Sequence, residues 1–206
     1  PTGHELSLSG IAAKRQPAIN GRAGDSAGQA NIQMEKAHFL QKGRYFMAFL
    51  SHEEYMTQAL ALAREAAERG DVPVGCVIVD EMGTVIGFGR NRREECHDAA
   101  AHAEVEAIRM ACKTVGSWRL HKARLYVTLE PCPMCAGAIL NARIAEVHYG
   151  VREENTGACG SVLNLFEEPF GHRPRLYRGP LEEECAALLR DFFLSRRQNK
   201  VEEKKI

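Results

Sequence analysis

The chain has 206 residues, 45% of them hydrophobic and 26% charged, which suits one globular domain and, with no run of about 18 apolar residues, excludes a membrane-spanning helix. Its formal net charge is zero, from 27 basic and 27 acidic side chains, which argues against a strongly basic nucleic-acid-binding protein. Seven cysteines are an odd number and too few for a disulfide framework, so we expect the cytoplasm as the compartment.

Residues 1–46 differ in composition from the rest of the chain. Gly, Ala, Ser, Asn and Gln together make up nearly half of them and apolar periodicity is absent, which predicts a disordered extension or a non-native leader. Met47 would then be a plausible natural first residue. We expect the folded domain to span residues 47–198, with a charged C-terminal tail at residues 199–206.

The first half of the domain reads as a helix followed by a hairpin. Ser51 and Glu54 have the spacing of a capping box, and apolar residues then recur at helical spacing: Met56, Leu60, Ala63 and Ala67. Residues 72–79 form an apolar run typical of a buried strand, and residues 84–90 read as its hairpin partner. Residues 91–100 read as a polar loop.

Helices and strands alternate through the second half. A helix is predicted from Ala101, with Val105, Ile108 and Cys112 facing inward, and another at residues 133–141. Strands are predicted at residues 124–129, 146–150 and 176–178, the last a short edge strand. The final helix has apolar residues at i, i+3, i+4, i+7 and i+8: Cys185, Leu188, Leu189, Phe192 and Phe193. This alternation predicts an α/β sandwich around one sheet.

Three side chains of metal-ligand type stand at the starts of two predicted helices: His102, Cys132 and Cys135. Cysteines at i and i+3 in a first helical turn can bind one ion, and the positive helix end favours thiolates. His102 would be a third ligand. Three protein ligands leave one position open on a tetrahedral zinc ion, which is the arrangement of catalytic sites.

Glu104 acquires a role beside such a zinc ion. Residues two apart on an ideal helix point about 200° apart, so His102 and Glu104 converge only at the very N-terminus of the helix. The predicted start at Ala101 places both there. Zinc lowers the pKa of a coordinated water from about 15.7 to about 7, and a neighbouring carboxylate can carry the proton away.

A structural zinc site is the alternative interpretation of the same residues. Such sites usually have four protein ligands, and the nearest candidates for a fourth are His97 and His121. His97 lies in the loop before the site, and His121 lies in a connector typical of solvated residues. The ligand set therefore favours a catalytic zinc ion over a structural one.

The motif His102-Ala103-Glu104 with Pro131-Cys132-Pro133-Met134-Cys135 resembles the zinc-dependent nucleobase and nucleoside deaminases. Further segments resemble the bacterial tRNA-specific adenosine deaminases within that group: residues 72–75, 128–130, 135–139, 156–161 and 184–193. The likeness runs from about Ser51 to Gln198. Ala99-Ala100 departs from the family's frequent Pro-Thr, ahead of the proposed metal helix, so we expect the stiffness of that loop to differ from the family's.

The resemblance implies a three-layer α/β sandwich with a mixed five-stranded sheet, usually in a homodimer, and one zinc ion per chain. It implies deamination of adenosine to inosine at the wobble position of a tRNA anticodon, often that of an arginine tRNA. Carried over by motif, Glu104 would move protons, Asn91 and the Ala103 backbone would contact the nucleoside, and Arg152 would lie near the RNA.

Two other functions fit the same residues. A small-molecule deaminase acting on guanine or cytosine could use the same scaffold, and a zinc-stabilised binding module would need no Glu104. The charge distribution bears on the RNA hypothesis, because residues 47–189 carry a net charge of −6 while residues 1–46 and 190–206 each carry +3. We therefore expect tRNA affinity to come from local placement of basic residues rather than from overall charge.

Overall fold

The computed structural model describes the backbone of residues 50–203 and the side chains of residues 50–198. The expectation for residues 1–46 lies outside this range, as does the end of the charged tail. Among the described residues, no helix combines the length and the low polarity needed to cross a membrane.

The predicted helices and strands all form, in the predicted order and with small shifts at their ends. The helices are α1 (His52–Glu68), α2 (Arg93–Cys96), α3 (Ala103–Val115), α4 (Pro133–Ala142) and α5 (Glu182–Glu203). The strands are β1 (Gly75–Val79), β2 (Val85–Arg90), β3 (Arg124–Leu129), β4 (Glu146–Val151) and β5 (Arg175–Arg178). The predicted capping box starts α1, since the Glu54 N–H donates to Ser51 Oγ over 3.2 Å and the Ser51 N–H donates to Glu54 Oε2 over 2.6 Å.

The five strands form one mixed sheet in the order β2-β1-β3-β4-β5. Strand β1 is antiparallel to both β2 and β3, while β3, β4 and β5 run parallel to one another. Strands β2, β3 and β4 therefore point the same way and end at one edge of the sheet. Open sheets with parallel strands place binding sites at the carboxyl ends of those strands, and the segments leading to α3 and α4 both start there.

The buried face of α3 agrees with the prediction only in part. Ile108 and Cys112 pack against the core but, like Val105, are only half-buried, and the side chains that are wholly buried against the sheet are smaller: Ala103, Ala107 and Ala111. The cause lies in strand β2, where a Cβ on Gly87 would stand 2.4 Å from the Ala107 carbonyl oxygen. Helix α3 thus approaches the strand so closely that only alanine fits between them.

Gly89 offers a direct test of this close approach. A Cβ at this position would stand 2.4 Å from the Ala103 carbonyl oxygen, so Gly89→Ala must push the first turn of α3 away from the sheet. We expect it to lower the free energy of unfolding by about 1–3 kcal/mol in a denaturant titration, the usual cost of overpacking. Gly137→Ala is the matched control, because a Cβ there meets nothing within 4 Å and should stabilise α4 by up to about 1 kcal/mol. Equal effects of the two substitutions would contradict the close approach.

The segment predicted as a polar loop at residues 91–100 contains the short helix α2, so this prediction was wrong in part. Its N-cap residue, Arg92, makes no side-chain capping bond. Asp71 caps it instead from more than twenty residues away, accepting hydrogen bonds from the Glu94 N–H at 2.8 Å and the Glu95 N–H at 3.2 Å. The wholly buried Asp71 therefore fixes the loop that follows β2.

Candidate metal centre and substrate cavity

His102, Cys132 and Cys135 meet where α3 and α4 begin. His102 is the N-cap residue of α3 and Cys132 that of α4, both with extended backbone, and neither side chain caps its own helix. The His102 Nδ1 atom lies 3.7 Å from Cys132 Sγ and 3.6 Å from Cys135 Sγ, and the three ligand atoms all lie within 4.8 Å of one another. Helix α4 begins at Pro133. Proline is well accommodated at the first position of a helix, because the backbone N–H that it lacks would have no intrahelical acceptor there.

These distances fit a tetrahedral zinc ion. Bonds of about 2.1 Å to nitrogen and about 2.3 Å to sulfur place two tetrahedral ligands about 3.6 Å apart. Cys132 is also readily deprotonated to the thiolate that zinc binds. Hydrogen bonds from Cys135 and His102 lower the pKa of its thiol to about 4. The donor set is therefore one that zinc prefers, with one coordination position left to a small molecule.

Glu104 lies at the second position of α3, beside the metal ligands. It is 3% exposed, and burial raises the pKa of its carboxyl group. The start of α3 at Ala103 lets His102 and Glu104 converge, as the spacing predicted. An acid with a raised pKa next to a metal site is well placed to hold and pass on a proton.

A cavity of about 170 Å³ opens onto this cluster at the carboxyl edge of the sheet. The predicted site residues His102, Ala103, Glu104, Cys132 and Asn91 line it. Its other walls are formed by Val72, Val74, Arg93, Leu129, Glu130, Glu153 and Thr156. One cavity thus joins a metal site, a proton carrier and polar groups that can contact a ligand.

Asn91 carries an unpaired acceptor in this cavity wall. Its Nδ2 atom donates to the Val72 carbonyl at 3.2 Å, while its buried Oδ1 atom has no hydrogen-bond partner among the described residues. An unsatisfied buried acceptor is costly, so a ligand hydroxyl or amine that donates to it would restore the lost bond. Ala103 adds a donor, because the N–H of the first residue of a helix has no intrahelical acceptor.

The structure separates the remaining predicted candidates from the cavity. Arg152 is exposed and does not line it, whereas its loop neighbours Glu153 and Thr156 do. His97 and His121 are both exposed, and neither belongs to the ligand cluster found among residues 50–198. The cluster therefore has three protein ligands, as the catalytic interpretation requires.

Sequence reasoning missed Glu130, which lines the cavity, and Asp71, which fixes the loop that follows β2. Both are buried carboxylates that accept backbone N–H groups from segments more than twenty residues away. The available signal was their position, since Glu130 directly follows β3, Asp71 comes three residues after the end of α1, and each precedes a proline by one or two residues. That signal marks a turn but does not identify its partner.

Residues 50–151 match the family model for the zinc-binding region of cytidine and deoxycytidylate deaminases. The chain is 45% identical to the tRNA-specific adenosine deaminase of Bacillus subtilis over 149 residues, which are 72% of this chain and 92% of that protein. It is 47% identical over 144 residues to the tRNA-specific adenosine deaminase of Agrobacterium fabrum, covering 69% and 94% of the two chains. This chain belongs to the tRNA-specific adenosine deaminase family.

The family has a solved member with the same fold. A structure from studies of A-to-I editing by tRNA:A34 deaminases superposes on this one with a TM-score of 0.63 and 47% identity, covering 66% of this chain and 99% of that one. The mixed five-stranded sheet flanked by helices is therefore the expected deaminase fold, and the protein is a zinc-dependent hydrolytic deaminase. The expected zinc cofactor agrees with the His/Cys/Cys cluster.

Proposed function

We propose that this protein converts adenosine to inosine at the wobble position of a tRNA anticodon, consuming water and releasing ammonia. The observation that carries the proposal is the ligand triangle of His102, Cys132 and Cys135, two of which, His102 and Cys132, line one cavity with the buried Glu104. The family's relatives, named for tRNA-specific adenosine deamination, support the choice of substrate.

His102, Cys132 and Cys135 would hold one zinc ion per chain. When bound, zinc supplies a nucleophile from water near neutral pH, because it lowers the pKa of water to about 7. The protein contributes the three ligands, the enclosure of the cavity and the groups that orient the base. Because the two thiolates and the imidazole leave one coordination position free, the site suits catalysis rather than structural support.

Glu104 carries the protons of the reaction. It accepts a proton from the attacking water and delivers one to N1 of the adenine ring, so that oxygen bonds to C6. It then takes the remaining proton of the new C6 hydroxyl and passes it to the exocyclic nitrogen, so that the C6=O bond forms as the C6–N bond breaks and ammonia leaves. Its burial beside the metal ligands keeps it within reach of both the water and the base.

Asn91 and Ala103 orient the nucleoside. The unpaired Asn91 Oδ1 accepts a hydrogen bond from the nucleoside, and the Ala103 N–H donates to the edge of the base. A wobble nucleotide suits this cavity because anticodon loops are single-stranded, so a base leaves the stack at lower cost than from a duplex. Arg152, exposed on the loop after β4, would contact the RNA backbone.

The proposal extends to the partners and the compartment. We propose a homodimer that acts on an arginine tRNA in the cytoplasm, in keeping with what the family resemblance implies. Sedimentation velocity tests the dimer, and sequencing a total tRNA pool after incubation identifies the tRNA. A monomer at micromolar concentration, or inosine in a different tRNA alone, would contradict the corresponding part.

The chemical proposal is tested with an anticodon stem-loop that carries adenosine at the wobble position, incubated beside free guanine and free cytosine. We expect stoichiometric zinc, inosine in the stem-loop and little ammonia from the free bases. Efficient deamination of a free base with an unchanged stem-loop would favour the small-molecule alternative. Bound zinc without any turnover would favour a binding module.

A further inference from the structure

Glu130 is a buried carboxylate that the proposed chemistry does not use. It directly follows β3, two residues before Cys132, and is 2% exposed. Its Oε1 atom accepts from the N–H groups of Cys159 at 2.9 Å and Ser161 at 3.1 Å. Its Oε2 atom accepts from the Glu153 N–H at 3.1 Å and from the Ser161 hydroxyl.

These four bonds occupy the carboxylate, which has about four lone-pair sites. Although Glu130 borders the cavity, it has no acceptor position left for a substrate, so it acts through the segment that it binds. That segment, residues 153–161, leaves the end of β4 and contributes Glu153 and Thr156 to the cavity wall. A Cβ on Gly157 would stand 2.6 Å from the Glu130 carboxylate, so the segment lies directly against it.

The backbone near Glu130 is held independently of its side chain. The Glu130 N–H donates to the Val151 carbonyl at 2.9 Å, and the Ala136 N–H donates to the Cys132 carbonyl at 2.9 Å, so neither bond involves residues 153–161. Cys132 therefore keeps its place at the start of α4 when the carboxylate is changed. The side chain of Glu130 fixes the opposite wall of the cavity and not the metal ligands.

We propose that Glu130 is a positioning residue for the substrate, whose carboxylate holds residues 153–161 as the wall against which the nucleotide binds. The inference rests on the proposed function for its substrate. It assigns Glu130 to substrate binding, so loss of the carboxylate raises KM and leaves kcat nearly unchanged. The metal ligands and Glu104 stand on α3 and α4 and remain in place.

Glu130→Gln probes one end of the segment selectively. The new amide NH₂ cannot face the two N–H donors at the Oε1 position, but at the Oε2 position the Ser161 hydroxyl can turn and accept from it. The Glu153 N–H then loses its acceptor. We expect amide hydrogen exchange at Glu153 to rise at least about tenfold, while Cys159 and Ser161 stay protected.

The kinetic experiment compares the wild-type protein with Glu130→Gln on the wobble-adenosine stem-loop. We expect KM to rise about tenfold, kcat to stay within about threefold, and zinc to stay near one per chain. Gly157→Ala should displace the same segment, because its Cβ would stand 2.6 Å from the Glu130 carboxylate. It should likewise raise KM and spare kcat, so the test does not depend on one variant folding. Ile144→Val controls for general loss of stability. Ile144 is buried and lies two residues before β4, whereas residues 153–161 follow the other end of that strand.

Three outcomes would overturn the inference. In the first, KM stays within about twofold although Glu153 exchange rises, which reduces Glu130 to a structural role. In the second, kcat or zinc content falls while KM is unchanged, which assigns Glu130 to the metal centre. In the third, Ile144→Val raises KM as much as Glu130→Gln does. A wild-type protein inactive on the stem-loop would instead overturn the proposed function, whereas the exchange measurement would still report whether Glu130 holds the segment.

Discussion

Glu104→Ala is expected to lower the turnover of adenosine by about 10³-fold or more while zinc content stays near one per chain. The reason is that Glu104 lies in the cavity without belonging to the ligand cluster, so its loss removes the proton carrier and spares the metal site. General acid–base groups contribute about 10²–10⁴-fold to rate, and this one serves both the water and the leaving ammonia. The measurement is single-turnover kinetics with metal analysis on the same sample.

Glu106→Ala is the matched control for this substitution. Glu106 stands on the same helix two residues further along, pairs with Arg109 at 2.8 Å and does not line the cavity. Since an exposed ion pair of this kind contributes less than about 1 kcal/mol, the control should keep turnover within about twofold. Retention of full activity by Glu104→Ala would contradict the assigned role and favour a zinc site without a catalytic carboxylate.

Cys132→Ser is expected to reduce zinc to less than about one tenth of an ion per chain and to abolish inosine formation. The site has three protein ligands, and an alcohol does not replace a thiolate at a Zn–S distance of about 2.3 Å. Because metal binding contributes to the stability of the folded state, the midpoint of thermal unfolding should also fall. Plasma emission spectroscopy and calorimetry on one preparation measure both effects.

Cys96→Ser provides the control for cysteine chemistry. Cys96 is an exposed free thiol at the end of α2 and lies outside the ligand cluster. Its replacement should leave zinc content, the unfolding midpoint and turnover unchanged. If Cys132→Ser kept stoichiometric zinc and full activity, the assignment of His102, Cys132 and Cys135 as the zinc ligands would be wrong.

The sequence predicted the strands and the long helices because their apolar patterns are local. Strand β3 was located at its observed bounds, and the capping box marked the start of α1. Helix α2 was missed because its cap comes from Asp71, and no pattern within residues 91–100 reveals a cap from another segment. Contacts between residues that are far apart in the sequence cannot be predicted from local sequence patterns.

The buried face of α3 was predicted incompletely, for a different reason. Hydrophobic periodicity selects the larger side chains, here Val105 and Ile108, as the inward ones, but both are only half-buried. The observed contact is closer than such side chains allow, because glycines in β2 bring the sheet against Ala103, Ala107 and Ala111. Small residues that face each other carry little hydrophobic signal, although they set the position of the helix that holds His102 and Glu104.

The metal centre could be predicted because its ligands and Glu104 lie in two short sequence motifs. His102 with Glu104, and Cys132 with Cys135, each lie within one helical turn, and the sheet brings the two turns together. The opposite wall of the cavity could not be anticipated. Glu130 acquires its role from the N–H groups of Glu153, Cys159 and Ser161, which reach it only in the folded chain.

The most direct test of the central claim is position-resolved sequencing of one anticodon stem-loop that carries adenosine at the wobble position and at a second loop position. The zinc-loaded protein should convert the wobble adenosine alone, so that this position reads as G while the second remains A. Glu104→Ala should leave both positions as A. Conversion at both positions alike, or at neither by a protein with stoichiometric zinc, would contradict the account.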